Sequence, residues 1–234
     1  MACHFALALQ RQSQKEVLLA DFDLDAGIIG FLLKSKSPYS ILDAAGNLNR
    51  LDFSYWKALI SNGIPGIEVI KAPAATGTRS SCDPASLRHI LAFVRCHYDY
   101  VVADLGRSLS AVAMNCLEEV DTGVVVTTPD VPSLHYAQHI ARVLKDAGCG
   151  EEKIRLVLNR VNKRMEITRE EIEQLVNLPL AAVLPEDYQA LYDAYAGGEL
   201  MPPETALSTH IAELAGKLGG FTVERKTRRF GLFG

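Results

Sequence analysis

Residues 99–129, DYVVADLGRSLSAVAMNCLEEVDTGVVVTTP, contain the pattern that decides the fold. The stretch predicts a buried strand at 100–103 that ends on Asp104, then a helix, then a second buried strand at 123–127 that ends on the hydroxyls of Thr127 and Thr128. In an open parallel sheet, ligands bind outside the carboxyl ends of the strands. We therefore expect Asp104 and residues 127–129 to face one ligand site.

The alternation of strand and helix continues along nearly the whole chain. The strands are short runs rich in Val, Ile and Leu that are apolar on both faces, which is typical of a parallel sheet covered by helices on both sides. One helix is marked by a capping box, in which Glu171 completes the cap that begins at Thr168. The predicted fold class is α/β, with a doubly wound, mostly parallel sheet. The other predicted strands are 17–20, 67–72, 153–158 and 180–184.

Length and composition fit one large domain, at 1–218, followed by a short tail, at 219–234. With 234 residues, of which 48% are hydrophobic and 22% charged, the chain can bury a sizeable core. The net charge of −4 gives no global attraction to nucleic acid or to an anionic membrane. The five cysteines form no CxxC pair, no apolar run reaches the roughly 18 residues of a membrane-spanning helix, and residues 1–12 lack the features of a signal peptide. These observations favour a cytoplasmic protein with reduced thiols.

Polar side chains stand at the ends of several predicted strands. Asp21 and Asp23 follow the first strand, Asp104 follows the strand of the opening stretch, and Asn159 and Arg160 follow a later one. Acidic strand ends suit Mg²⁺ held through water and a carboxylate that orients an attacking water. An Asn beside an Arg suits a base edge and a phosphate. A single Asp at a strand end is more often a helix cap, but several at one sheet edge favour a ligand site.

Three stretches carry these residues in a fixed order: VLLADFDLDAG at 17–27, YDYVVADLGRSLS with CLEEVDTGVVVTTPDVPSLHYAQHIARVL within 98–144, and LVLNRVNKRMEITREEIEQLVNLPLAAVLPEDYQALYDAYAGGEL at 156–200. Their succession resembles the MinD/ParA class of P-loop ATPases and, within it, the CpaE/TadZ-type proteins of pilus assembly. The resemblance covers residues 1–217, and it implies a P-loop-NTPase-like fold that binds ATP and Mg²⁺.

The resemblance also implies a role for each site residue. Asp23 resembles the carboxylate that positions the hydrolytic water, and Asp21 lies beside it on the metal side. Asp104 resembles the Walker B carboxylate that holds Mg²⁺ through water. The remaining residues resemble those that contact and frame the adenine. They are Asn159, Arg160, Pro185, Glu186 and Asp187.

The chain departs from this family at its start. The resemblance places a Gly-rich phosphate loop and a central first strand directly before the helix at residues 1–12, but no GxxxxGK[ST] motif occurs in the chain. Because that loop supplies a backbone cradle, a Lys and a Mg²⁺-binding hydroxyl, we expect weak or absent nucleotide binding without it. Two interpretations stay open, an N-terminally incomplete chain and a degenerate scaffold. A sheet without its central strand would leave two strand edges unpaired or force them together.

The tail combines basic and bulky apolar residues. Four basic residues against Glu224 give residues 224–234 a local charge of +3, and Phe221, Phe230 and Phe233 add apolar surface. Such a segment, at 221–234, favours peripheral contact with an anionic membrane at the inner face of the cell. The other interpretations are a solubilising end and a segment that docks on a partner.

The leading interpretation is a CpaE/TadZ-like protein that localises pilus or secretion machinery through ATP-linked homodimerisation. Its expected partners are pilus or secretion assembly proteins, and the acidic body argues against nucleic acid. One alternative is a non-hydrolysing localisation scaffold with a degenerate nucleotide site. The other is a partition-type, ParA-like ATPase. ATP hydrolysis is implied by the resemblance alone.

Overall fold

A computed structural model describes residues 1–74, 82–150, 152–162 and 167–221. Strands and helices alternate along them, as the sequence predicts. The helices are α1 (Ala2–Ser13), α2 (Ile29–Leu32), α3 (Ile41–Ala45), α4 (Phe53–Leu59), α5 (Pro84–Arg95), α6 (Ala111–Glu119), α7 (Val131–Asp146), α8 (Arg169–Val176), α9 (Tyr188–Ala196) and α10 (Ala206–Gly219). The strands are β1 (Val17–Asp21), β2 (Ser61–Ile64), β3 (Ile67–Ile70), β4 (Tyr100–Asp104), β5 (Gly123–Thr127), β6 (Ile154–Val161) and β7 (Leu180–Pro185).

The strands form two hydrogen-bonded sheets rather than the single sheet that the sequence predicts. The first has the order β2-β3-β1-β4, and the second has the order β5-β6-β7. All neighbours are parallel except β2 and β3. Strand β2 is not predicted from the sequence, because its residues, Ser-Asn-Gly-Ile, carry no apolar run. The α/β class and the helices on both faces of the sheets are confirmed.

Helices shared by both sheets hold them side by side. On one face, a single core joins Leu19 of β1 and Val157 of β6 to the apolar sides of α1 and α10. On the other face, Cys116 of α6 belongs to the core of the first sheet, and the next residue, Leu117, belongs to the core of the second. The two sheets are therefore parts of one layer between two layers of helices.

The edges of the two sheets at β4 and β5 have no strand partner beyond β1 and β6 in the part of the chain that the structure describes. Every residue of β1 is buried, whereas every residue of β4 is only half-buried. On β5, Val124 and Val126 are 37% and 44% exposed. The expected pair of unpaired strand edges is thus confirmed, and β4 and β5 are the strands that carry it.

The end of β6 differs from the prediction. The strand continues to Val161 instead of ending at residue 158, so Asn159 and Arg160 lie inside it. Arg160 has a φ of 56°, in the left-handed region, and the β6–β7 register shifts between Leu158 and Val161. The positive φ and the register shift are typical of a β-bulge, which lets Asn159 and Arg160 belong to the strand although the sequence predicts its end at residue 158.

The capping box at the start of α8 is confirmed, with Thr168 as its cap and Glu171 as its acid. No helix in the described ranges has the length and apolarity to cross a membrane. The predictions for residues 222–234 lie outside the described residues.

Candidate functional site

Asp21 is the buried acid of the candidate site. It closes β1, is 1% exposed, and accepts hydrogen bonds from the backbone N–H of Asp23 at 3.2 Å and of Ile29 at 3.0 Å. The pKa of Asp21 is raised to about 6, mainly by burial, and the nearby charges of Asp104 and Asp23 act in the same direction. Both of its oxygens therefore hold the loop that leads from β1 to α2.

Gly27 lets that loop pack directly on the Asp21 carboxylate. A Cβ at position 27 would lie 2.6 Å from both carboxylate oxygens and 2.5 Å from the Cβ of Ala72. No side chain fits in this space, so a residue other than glycine would move the loop or the acid. Sequence reasoning missed Gly27, although a glycine two residues after three alternating aspartates is a visible signal of a close approach.

Asp23 and Asp104 meet at Gly106. The Asp104 Oδ1 accepts a hydrogen bond from the Gly106 N–H at 3.1 Å, and a Cβ at Gly106 would lie 2.5 Å from the Asp23 Oδ2. Gly106 has a φ of +74°, which agrees with the tight turn that its sequence context suggests. The Asp23 Oδ1 also accepts from the Ala26 N–H at 3.0 Å. The loops after β1 and β4 therefore pack closely against each other, and the Phe22 N–H donates to the Asp104 carbonyl at 2.8 Å. Asp21, Asp23 and Asp104 thus lie at one sheet edge, as predicted.

The chemistry of these carboxylates suits Mg²⁺ with water as its main ligand. Mg²⁺ in phosphate sites takes one or two carboxylates and completes its shell with water and phosphate oxygens. In β1 and β4, Asp21 and Asp104 are register partners, and Asp104 is half-buried. No group of three or more His, Cys, Asp or Glu side chains in the described ranges is arranged as a metal cage. The residues thus fit a metal shared with a phosphate ligand better than a metal held by protein alone.

The other predicted residues lie together at the end of the second sheet. Val161 and Pro185 are register partners, and the Glu186 N–H donates to the Val161 carbonyl at 3.0 Å. The Asn159 side-chain oxygen accepts from the Arg160 N–H at 2.9 Å. Strand pairing thus brings residues 159–160 and 185–187 to one place. Asp187 also accepts from the backbone N–H of Leu207, at 3.4 Å, and so contacts the start of α10.

The hydroxyls of Thr127 and Thr128 have a local function. The buried Thr127 donates to the Ser133 carbonyl at 3.0 Å, and Thr128 donates to the Asp130 carboxylate. Asp130 in turn caps α7, and the hydrogen bond from Thr128 lowers its pKa. These hydroxyls therefore stabilise the start of α7.

The start of α1 lies beside the acidic cluster. Burial raises the pKa of Cys3 to about 11, and the charges that act on its thiol include the Met1 amino group, Asp104 and Asp21. A helix N-terminus attracts anions through its free N–H groups and its dipole. The start of α1 therefore lies near the edge where the carboxylates collect, an arrangement that periodicity alone could not locate.

No protein-family model matches the chain. The septum site-determining protein MinD of Thermotoga maritima is 22% identical over 227 residues, which cover 94% of this chain and 82% of that protein. The crystal structure of a ParA family ATPase from Chlorobium tepidum is 27% identical, with a TM-score of 0.84 and coverage of 92% of this chain and 91% of that one. MinD from Pyrococcus horikoshii, solved with Mg-ADP, is 21% identical, with a TM-score of 0.75 and coverage of 93% and 88%.

The fold and the acidic strand ends define the class as an α/β protein of the P-loop NTPase type. Within this class, the chain is similar in sequence to MinD proteins and in structure to a ParA family ATPase.

Proposed function

We propose that the protein is a CpaE/TadZ-like member of the MinD/ParA family that localises pilus or secretion machinery through ATP-linked homodimerisation. The observation that carries the ATP-dependent part is the meeting of Asp21, Asp23 and Asp104 at one edge of the first sheet, tied together through Gly106. The localisation role rests on the sequence resemblance to CpaE/TadZ-type proteins.

Each acid has a distinct place in this proposal. Asp104, half-buried and bonded through one oxygen to Gly106, holds Mg²⁺ through water. Asp23, held by the Ala26 N–H, orients the attacking water. Asp21 keeps the loop between them in place and lies on the metal side. Bound Mg²⁺ would neutralise charge on the transferred phosphoryl group.

The second sheet frames the base in the same proposal. Asn159 offers an amide that can pair with a base edge, and exposed Arg160 adds a positive charge. Pro185, Glu186 and Asp187 form the turn beside them. Their placement at one strand end supports an adenine site, and the Pyrococcus horikoshii MinD, which shares the fold, was solved in complex with Mg-ADP.

The unpaired edges of β4 and β5 support a position between these two strands for a phosphate-binding segment. The chain contains no GxxxxGK[ST] motif, and the two edges flank a place where one further parallel strand would pair on both sides. A Gly-rich loop after such a strand would reach the start of α1, which lies beside Asp104. We expect tight binding of ATP and Mg²⁺ when this segment is present, and weak or absent binding without it.

A second candidate function is a non-hydrolysing localisation scaffold. Its support is the occupation of both Asp21 oxygens by backbone N–H groups, together with the missing motif. A partition-type ATPase is the third candidate, supported by the similarity to the Chlorobium ParA family ATPase. The net charge of −4 opposes non-specific DNA binding.

Calorimetry with Mg-ATP separates the first two candidates. The chain is compared with a version that carries, before Met1, the residues encoded in frame upstream or a designed strand and GxxxxGKT loop. We expect binding by an extended version and its loss in the same version with Asp104→Asn. Absence of binding by every extended version would contradict the ATPase proposal and favour the scaffold.

The membrane and partner proposals need separate assays. Co-sedimentation with anionic liposomes should fall when residues 221–234 are deleted, and an unchanged fraction would contradict membrane contact through the tail. Light scattering of an extended version should show dimers with ATP and monomers with ADP. Binding of duplex DNA that decreases with salt would instead support the partition-type candidate.

A further inference from the structure

A groove opens where four parts of the chain meet: α1, the segment after α2, strand β2, and the segment between α9 and α10. Its volume is about 610 Å³, which is within the range of ligand-binding sites. The buried side chains of Leu7, Leu33 and Met201 belong to its lining. None of the carboxylates at the end of the first sheet lines it. The groove is therefore a second concave surface with an apolar floor.

The rim of this groove is basic in a chain that is acidic overall. Arg11, Lys34 and Lys36 line it and are exposed, against the single acid Glu199. In the residues that the structure describes, the ion pairs involve other side chains, and none includes these three cations. Uncompensated positive charge around an apolar floor favours an anionic ligand that also has apolar groups.

Hydrogen bonds between distant segments preform the groove. The Met201 N–H donates to the Nε2 of His4 at 3.1 Å, which fixes the segment before α10 to α1. The hydroxyls of Ser35 and Ser61 bond each other at 2.8 Å and join the segment after α2 to β2. Because these walls are already tied together, a ligand pays little ordering cost on binding.

Strand β2 indicates what form the ligand takes. It is the outermost strand of the first sheet, with β3 as its one strand neighbour in the described ranges, and its residues Ser61 and Ile64 line the groove. The outer edge of such a strand can pair with an extended peptide. A flat membrane surface cannot reach the buried floor, and the chain's own tail, with its local charge of +3, has the wrong sign.

We propose that this groove binds an extended acidic segment of a partner protein. Its backbone pairs with β2, its carboxylates contact Arg11, Lys34 and Lys36, and its apolar side chains cover Leu7, Leu33 and Met201. The proposal concerns a surface separate from the nucleotide site, so it stands or falls independently of ATP binding.

Selection from a library of displayed random peptides tests the proposal on the full chain. We expect enrichment of peptides that combine Asp or Glu with bulky apolar residues. Their affinity, measured by fluorescence anisotropy, should fall with salt and should be about tenfold weaker for the double variant Lys34→Glu/Lys36→Glu. The matched control is Arg50→Glu/Arg142→Glu, which reverses two exposed charges outside the groove and should bind as the unaltered chain does.

Three results would overturn the proposal. The first is a selection without acidic enrichment, or with no peptide bound above background. The second is equal affinity of the selected peptides for the Lys34→Glu/Lys36→Glu variant and its control. The third is a homodimer in size-exclusion chromatography that the same double variant dissociates, which would assign the groove to a second copy of the chain. Thermal melts of both variants confirm that each is folded.

Discussion

The two sheets of this protein are built alike but use their polar strand ends differently. Each has an interior strand, the fully buried β1 or the largely buried β6, and a less buried edge strand that faces the other sheet, β4 or β5. At the end of the first sheet, glycines and backbone N–H groups cradle three carboxylates. Strand β5 of the second sheet leads into helix α7. There, Asp130 caps the helix, and the Thr127 hydroxyl donates to the Ser133 carbonyl in its first turn. Acid chemistry is therefore concentrated on the first sheet, and the second mainly supports it.

The largest effect is expected where α1 joins the two sheets. His4 is buried, accepts a hydrogen bond from Met201, and has a pKa lowered to about 4, mainly by burial. Since the unfolded chain takes up this proton near pH 6.5, stability from neutral His4 is complete above that pH and is lost as the pH falls to about 4. The loss amounts to about 3 kcal/mol.

The variant His4→Gln isolates this effect, because Gln keeps an acceptor for Met201 but does not titrate. Denaturant unfolding of both chains from pH 7 to pH 4 should show that their difference in unfolding free energy shrinks or reverses as the pH falls. Asp21, whose pKa is raised to about 6 by burial, changes stability in the opposite direction in both chains and cancels in the difference. If the unfolding free energies of the two chains changed in parallel with pH, the lowered pKa of His4 would be contradicted.

The next effect concerns the acid end of the first sheet. Gly27→Ala places a Cβ 2.6 Å from both Asp21 oxygens, so the variant should lose about 2 kcal/mol of unfolding free energy. Gly46→Ala is the control, because its new Cβ would meet only the Leu42 carbonyl at 3.3 Å and its φ is −75°. Chemical denaturation compares the two. Equal stability of both variants would show that the loop does not pack on Asp21.

The sequence predicted most strands of both sheets, but it did not predict that the strands form two separate hydrogen-bonded sheets. Strand β5 was predicted at its observed bounds because Gly123 and Thr127 enclose a pure valine run. Asp21, Asp23 and Asp104 were predicted together because strand ends of a parallel sheet share an edge. Their hydrogen bonds to the residues around Gly27 and Gly106 depend on loop geometry, which residue spacing does not encode. The same limit explains why the hydrogen bonds of the hydroxyls of residues 127–128 to the start of α7 were not predicted.

Two valines at matched positions test the difference between an interior strand and an edge strand. Val157 on β6 and Val126 on β5 are register partners, and they are 0% and 44% exposed. Val157→Ala should cost about 2 kcal/mol through lost burial and a cavity, and Val126→Ala should cost less than about 0.5 kcal/mol. Thermal and denaturant unfolding measure both. A large cost at Val126 would show that the β5 edge is covered in solution.

The smallest effect separates the polar groups of the two sheets by function. Asp130→Ala removes the cap of α7 and should lower the unfolding free energy slightly. In a version extended upstream, this variant should bind Mg-ATP as the unaltered protein does. Asp104→Asn should do the reverse, because it keeps an acceptor for the Gly106 N–H but loses the charge that faces Mg²⁺. For each of the two variants, calorimetry measures Mg-ATP binding and chemical denaturation measures the unfolding free energy. A loss of nucleotide binding in Asp130→Ala would place the strand end of β5 in the site and end the distinction between the two sheets.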